Sequence, residues 1–218
     1  MAAAASDRGS YAKGRERRQA ILESTLQVFS ELGSRGASLS AIARNVGISP
    51  ALLQYYFSSR DELLREVITE WDHENEAAGV GLSHFADWLK AIRHNQQIPG
   101  LVHLYMTCVV EATDPDHPHR EFYRHRYELL TPEIVEEIRN QQLRGSVPAS
   151  ADAERIARIL LATIEGLQIR WLHEPSFDMF DEFLYTLRQF GIVPPELESG
   201  VLVEHETAPA PTGQRRAS

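Results

Sequence analysis

Between Ser38 and Ser59 the chain is punctuated so closely that only very short helices fit. Ser38 can cap a helix over Leu39–Val46, although Ala41 leaves that start without a full capping box. Gly47 ends it, Ile48 is the one apolar residue of the turn, and Ser49 caps the next helix. Pro50 occupies the first turn there, where a missing N–H costs nothing, and the helix runs to about Tyr56. Ser59-Arg60-Asp61-Glu62 reads as a capping box that opens a fourth helix reaching about Ala77. Upstream, residues 17–32 place Ile21, Leu22, Thr25, Leu26, Phe29 and Leu32 on one helical face, with Gly33 and Gly36 after it.

A short helix, a glycine-centred turn and a second short helix form the helix-turn-helix pattern. Small residues at Ala43 and Gly47 allow a close crossing. Ile42, Ile48, Leu53 and Phe57 can pack between the pair and the first helix. The outer face of the second short helix would then carry Ser49, Ala51, Leu52, Gln54, Tyr55 and Tyr56. A purely structural αα-corner has the same outline, so the charge pattern has to arbitrate.

The whole chain of 218 residues carries a formal charge of −9, which argues against nucleic acid as a partner. Its distribution argues the opposite. Residues 1–60 hold eight basic side chains against four acidic ones, a balance of +4, and leave −13 on the remainder. Arg8, Lys13, Arg15, Arg17 and Arg18 crowd the segment before the first apolar run. A basic end on an acidic body is the pattern of a nucleic-acid-binding end. A single cysteine, Cys108, excludes an internal disulfide and fits a reducing, cytoplasmic setting. The segment MAAAASDRGSYAKGRERR has no apolar core of signal-peptide length, and no stretch approaches the ~18 apolar residues of a membrane span.

At residues 17–68 the chain resembles the TetR family of transcriptional regulators. The likeness is carried by Ile21-Leu22, Phe29, the Gly33/Gly36 loop, Ser38, Ile42-Ala43, Gly47-Ile48-Ser49, Leu53, Tyr56-Phe57, Ser59-Arg60-Asp61 and Leu63-Leu64 in fixed order. Gln54 stands where the family most often has Tyr, and Tyr56 where it often has His. The resemblance implies a homodimeric DNA-binding protein with a small N-terminal reading domain and a larger helical effector domain. It also implies a near-palindromic operator, an unidentified small-molecule effector, no membrane association, no cofactor and no enzymatic activity.

Phosphate contacts supply affinity and register, while base-edge contacts supply sequence preference. Arg15, Arg17 and Arg18 are arm or helix-start candidates for phosphate. Ser38 and Arg60 lie at helix starts that favour anions, and Arg44 sits near the end of the second helix. Tyr55 and Tyr56 offer hydroxyls to the backbone. Ser49, Ala51 and Gln54, with Pro50 beside them, face base edges; Gln pairs with adenine and Ala touches a thymine methyl.

The acidic half shows amphipathic segments at about 83–97, 100–111, 119–144, 151–173 and 177–190, separated by Pro/Gly breaks, with Gly79–Gly81 loosening the end of the fourth helix. The expected architecture is therefore all-α, with about nine helices. Its parts are a flexible basic arm (1–16), a helix-turn-helix domain (17–68) whose last helix continues as a connector to about 78, an effector and dimerisation domain (79–192) and a disordered Pro/Glu/Ala-rich tail (193–218) ending near Arg215-Arg216.

Two long helices rich in apolar residues are candidates for a four-helix dimer interface. They present Ile156, Ile159, Leu160, Ile164 and Leu167 on one, and Phe180, Phe183, Leu184 and Leu187 on the other. Tyr105, Cys108, Phe122 and Tyr123, with Arg126, Tyr127, Gln168 and Trp171, are candidates for an effector pocket. His117, His119 and His125 read as solvated loop histidines rather than metal ligands. No nucleophile elbow, phosphate loop or HExxH helix occurs. The resulting function is a DNA-binding regulator, a repressor released by its effector. The alternatives are an activator of the same family, a helical enzyme with a structural corner, and a dimeric interaction protein that has lost DNA binding.

Overall fold

Nine α-helices and no strand occupy the described residues of the computed structural model, which are 3–77 and 84–193, with side chains from Lys13 onward. They are α1 (Ala3–Gly36), α2 (Leu39–Val46), α3 (Pro50–Tyr56), α4 (Arg60–Ala77), α5 (Phe85–Asn95), α6 (Pro99–Glu111), α7 (Arg120–Arg144), α8 (Ala153–His173) and α9 (Met179–Gln189). Gly79–Gly81 and residues 194–218, Arg215-Arg216 included, lie outside the described residues.

α1 starts at Ala3, so most of the segment expected as a flexible arm has helical backbone. An Ala-rich start followed by Arg, Lys and Glu lets a helix nucleated at 17–32 extend backwards. At its far end Gly33 sits at φ 66° and breaks the helical path, and Leu32 just before it is 56% exposed rather than part of the inner face. Ile21, Leu22, Thr25 and Phe29 are buried, and Thr25 Oγ1 donates back to the Ile21 carbonyl at 2.8 Å, which satisfies its buried hydroxyl.

The punctuation of the short helices works as the residue types require. Ser38 Oγ accepts from the Ala41 N–H and Ser49 Oγ from the Leu52 N–H, each an N-cap worth ~1 kcal/mol. Gly47 adopts φ 73°, a left-handed conformation open to glycine without strain. At the start of α4 the capping box is shifted by one residue. Ser59 Oγ accepts from the Glu62 N–H, but the Glu62 carboxylate reaches past Ser59 to the Ser58 N–H at 2.7 Å.

Buried apolar side chains form two clusters, and α6 shares in both. The first joins α1 to α4 and takes Leu104 and Cys108 from α6, Ala112 just after it and Tyr123 from α7. The second fills the bundle of α5 to α9, with Val102 and Met106 of α6 inside it. The crossing of α6 over α1 is very close: a Cβ at Gly100 would lie 2.6 Å from the Leu26 carbonyl oxygen. His103 completes the contact, edge-on to Phe29 with ring centroids 6.0 Å apart. The helix-turn-helix unit is thus seated on the bundle through two packed helices.

Candidate nucleic-acid interface and effector cavity

Leu53 is fully buried in α3, and with Phe57 it turns the rest of the helix outward. Ser49, Pro50, Ala51, Leu52, Gln54 and Tyr55 are exposed, Tyr55 by 82%, and Tyr56 is half-buried against it with rings edge to face at 5.5 Å. Asn45 Nδ2 donates to Ser24 Oγ at 2.9 Å, which ties α2 to α1 and fixes the angle at which α3 is presented. Arg17 and Arg44 are exposed on neighbouring helices. This face carries no acidic residue of α2 or α3 and is seven residues long, the dimensions of a helix that enters a major groove.

Two expected phosphate contacts are occupied internally. Arg18 pairs with Glu66 and lies over the Phe57 ring at 5.2 Å, and so clamps α1 to α4. Arg60 pairs with Glu111 at 3.3 Å, donates to Ser34 Oγ at 3.3 Å and covers the Phe29 ring at 5.7 Å. Both arginines lie beside acids of the helices they pack on, a proximity that sequence spacing of 48 and 51 residues conceals.

A cavity opens between α4, α5, α6, α7 and α8. Trp71, Trp88, Tyr105 and Tyr127 give it aromatic walls, and Ile92, Val102, Leu130, Leu161 and Ile164 give it aliphatic ones. Its polar end is built from Asp72 and Asn75 of α4, Arg126 of α7, and Glu165 and Gln168 of α8. Arg126 Nη1 and Nη2 engage the two oxygens of Asp72, the second at 3.2 Å. Burial opposes the guanidinium charge, but Tyr105 and Asp72 outweigh it and raise its pKa. The Tyr127 hydroxyl donates to Glu165. Burial pushes the phenols of Tyr105 and Tyr127 up, so both remain protonated donors.

Of the expected pocket residues, Tyr105, Arg126, Tyr127 and Gln168 line this cavity. Cys108, Phe122, Tyr123 and Trp171 do not. Cys108 and Tyr123 are buried in the first core cluster, Phe122 packs on that cluster, and Trp171 is buried in the bundle core. Phe122 and Tyr123 lie one helical turn before Arg126 and Tyr127 on the same face of α7, and that step of one turn along the axis carries the face from the first core cluster to the cavity. Burial pushes the Cys108 thiol up to about 11, so it behaves as a small apolar side chain at neutral pH. Trp71, Asp72, Asn75, Trp88 and Glu165 also line the cavity; their signal in the sequence is a carboxylate and an amide beside Ile68 and Trp71 on the inner face of α4.

Of the expected dimer contacts, Ile156, Leu160, Ile164, Phe180, Phe183, Leu184 and Leu187 are buried in the single chain's own core, and Leu167 packs against it. Apolar periodicity marks a covered face but not whose side chains cover it. Ile159 is different, at 41% exposed, and shares the outer surface with Ile169 at 45% and Tyr185 at 59%.

His117 and His119 stack edge-on at 6.0 Å, whereas His125 faces Glu128. Oxygen and nitrogen atoms of Asp61, Glu111 and His117 gather within 4.8 Å, but Arg60 Nη1 stands 3.3 Å from Glu111 and 3.9 Å from Asp61 and supplies the positive charge itself. No described helix is long and apolar enough to cross a membrane.

Comparison with known proteins places this geometry. Residues 21–67 match the family described as bacterial regulatory proteins, tetR family. The chain is 30% identical over 163 residues to the HTH-type transcriptional regulator BetI of Rhizobium meliloti, covering 71% of this chain and 77% of that one. A TetR-family regulator structure from Rhodococcus sp. superposes with a TM-score of 0.62 at 23% identity over 81% of this chain and 99% of its own. A transcriptional regulator from Saccharomonospora viridis, solved in complex with choline, superposes with a TM-score of 0.63 at 24% identity over 81% and 95%.

Proposed function

Since the chain belongs to the TetR family of bacterial regulatory proteins, we propose that this DNA-binding transcriptional regulator is a homodimeric repressor released from its operator by a small molecule. The observation that carries this reading is the double role of α4. Its first residue follows the recognition helix α3 by four positions, and further along it Ile68, Trp71, Asp72 and Asn75 form one wall of the cavity. A molecule seated there touches the helix that carries the reading head. Binding that favours one position of α4 over another shifts the population of DNA-competent protein by the difference in its affinity for the two.

Ser49, Ala51 and Gln54 are the base-reading residues of this proposal, and Arg15, Arg17, Arg44 and Tyr55 its phosphate contacts. Two copies joined through the outer faces of α8 and α9, around Ile159, Ile169 and Tyr185, would set two α3 helices about one DNA turn apart (roughly 34 Å) on a near-palindromic site in the cytoplasm. One seven-residue helix alone makes too few contacts for specific binding.

Mobility-shift titration on the intergenic DNA beside the chain's own gene tests the reading. The expected result is a salt-sensitive complex with two subunits per site. Absence of any complex at low salt overturns it. A reporter whose transcription rises with the bound protein would make the chain an activator.

A further inference from the structure

The charges in the cavity do not cancel. Arg126 is matched by Asp72, which leaves the Glu165 carboxylate with a tyrosine hydroxyl and no cationic side chain paired to it among the described residues. The surroundings are aromatic and aliphatic, a poor medium for an unbalanced negative charge. Among the described residues two buried side-chain polar atoms also lack hydrogen-bond partners, and both belong to this lining: the donor Arg126 Nε and the acceptor Gln168 Oε1. Buried polar groups are ordinarily satisfied, so atoms left open in a cavity wall mark where a ligand completes the set. Gln168 lies three residues beyond Glu165 on α8, which puts its carbonyl oxygen and the carboxylate on one side of the helix.

From this set we infer that the cavity takes a small protonated amine, primary or secondary, that carries an oxygen acceptor and an apolar body. This rests on reading the cavity as the effector site. The ammonium balances Glu165 among the aromatic side chains of Trp88 and Tyr127, whereas the Tyr105 ring already carries the Arg126 guanidinium at 5.4 Å. Its N–H donates to Gln168 Oε1. The ligand oxygen accepts from Arg126 Nε, and the apolar body fills the space between Ile92, Val102, Leu130 and Leu161. Gln168 distinguishes this class from a quaternary ammonium, which has the charge but no hydrogen to donate. Glu165 distinguishes it from carboxylate ligands, which would add a second unbalanced anion.

Three probes of one shape separate these chemistries at pH 7: 2-amino-1-phenylethanol, its N,N,N-trimethyl analogue and mandelate. Calorimetry on the DNA-free protein, with Trp71 and Trp88 fluorescence as a second signal, reads binding to each. The amine is expected to bind at least tenfold more tightly than the trimethyl analogue, and mandelate not to bind. Glu165→Gln, which keeps the bond to Tyr127, should weaken the amine at least tenfold. Gln168→Leu should bring the amine down to the affinity of the trimethyl analogue and leave the latter unchanged; melting curves establish that both variants are folded. Equal or tighter binding of the trimethyl analogue or of mandelate, or no binding of the amine, overturns the inference. The mobility shift is a separate readout. Amine binding that leaves operator affinity unchanged keeps the ligand chemistry and overturns the effector reading, whereas an operator complex with a cavity that ignores the amine does the reverse.

Discussion

Arg126 of α7 holds Asp72 of α4 through both of its terminal nitrogens, across a separation of 54 residues. The pair joins the bundle to the helix that continues from the DNA-reading unit, and it does so inside the cavity. Its side chains are 16% and 24% exposed, so water screens them weakly.

Removing one partner should therefore cost more than a surface ion pair would. Asp72→Ala strands a guanidinium whose Nε is already without a partner, and is expected to lower stability by about 2–3 kcal/mol in urea denaturation. Arg126→Met paired with Asp72→Ala should recover part of that loss, because no charge is then left alone. A double-mutant cycle with no coupling would show the pair to be idle.

The reading helix and the arm should fail in different ways. Gln54→Ala is expected to reduce the preference for operator over scrambled DNA by roughly 1–3 kcal/mol. Arg17→Ala should weaken both duplexes alike and reduce the slope of affinity against salt by about one ion. Titrations of each variant on both duplexes at several salt concentrations separate the two effects.

Gly100 tests the seat of the N-terminal unit on the bundle. Its added Cβ would meet the Leu26 carbonyl, so Gly100→Ala forces α1 and α6 apart and should cost about 1–3 kcal/mol. Gly166 provides the contrast. Nothing lies within 4 Å of a Cβ there, and Ala is the better helix former, so Gly166→Ala should raise the stability of the single chain by up to about 1 kcal/mol. Thermal melts at low protein concentration compare them.

Ile159→Glu and Tyr185→Glu address the outer faces of α8 and α9. Both side chains are exposed, so the protomer should keep its stability within about 0.5 kcal/mol while sedimentation shows the dimer lost and the operator complex weakened. Phe183→Ala, by contrast, should unfold toward a cost of about 3–5 kcal/mol, because Phe183 is fully buried within its own chain.

Acid should loosen the start of α4 through Glu62. Hydrogen bonds from the Ser58 hydroxyl and amide hold its carboxyl below the ordinary 4.5. A lowered folded-state value means that the stabilisation is full above that ordinary value and is lost as pH falls through the lower folded one. Glu62→Gln should remove this part of the acid limb and leave the rest of the melting-against-pH profile in place.

Much of the N-terminal unit was legible because its information is local. Ser38, Gly47, Ser49 and Pro50 act within four residues of themselves, through caps, a left-handed turn and a fixed φ. Helices α5 to α9 were legible for the same reason, since Pro and Gly breaks separate amphipathic runs. The cavity was legible only in part. Tyr105 stands out as a polar aromatic residue in the apolar run of α6, but where along α7 the packing passes from the first core cluster at Phe122 and Tyr123 to the cavity at Arg126 and Tyr127 depends on what lies beside it.

The sequence by itself determined the helices, the order of the reading head and the body, and the exposed face of α3, because each follows from hydrogen bonds and burial within one or two turns. Only the tertiary structure decided the partners. It turned Arg18 and Arg60 into clamps, gathered apolar residues of α8 and α9 with those of α5, α6 and α7 in one core, and brought Asp72 to Arg126. A side chain's chemistry is written at its own position, but what neutralises or covers it comes from residues about 50 positions away, and only packing brings them together.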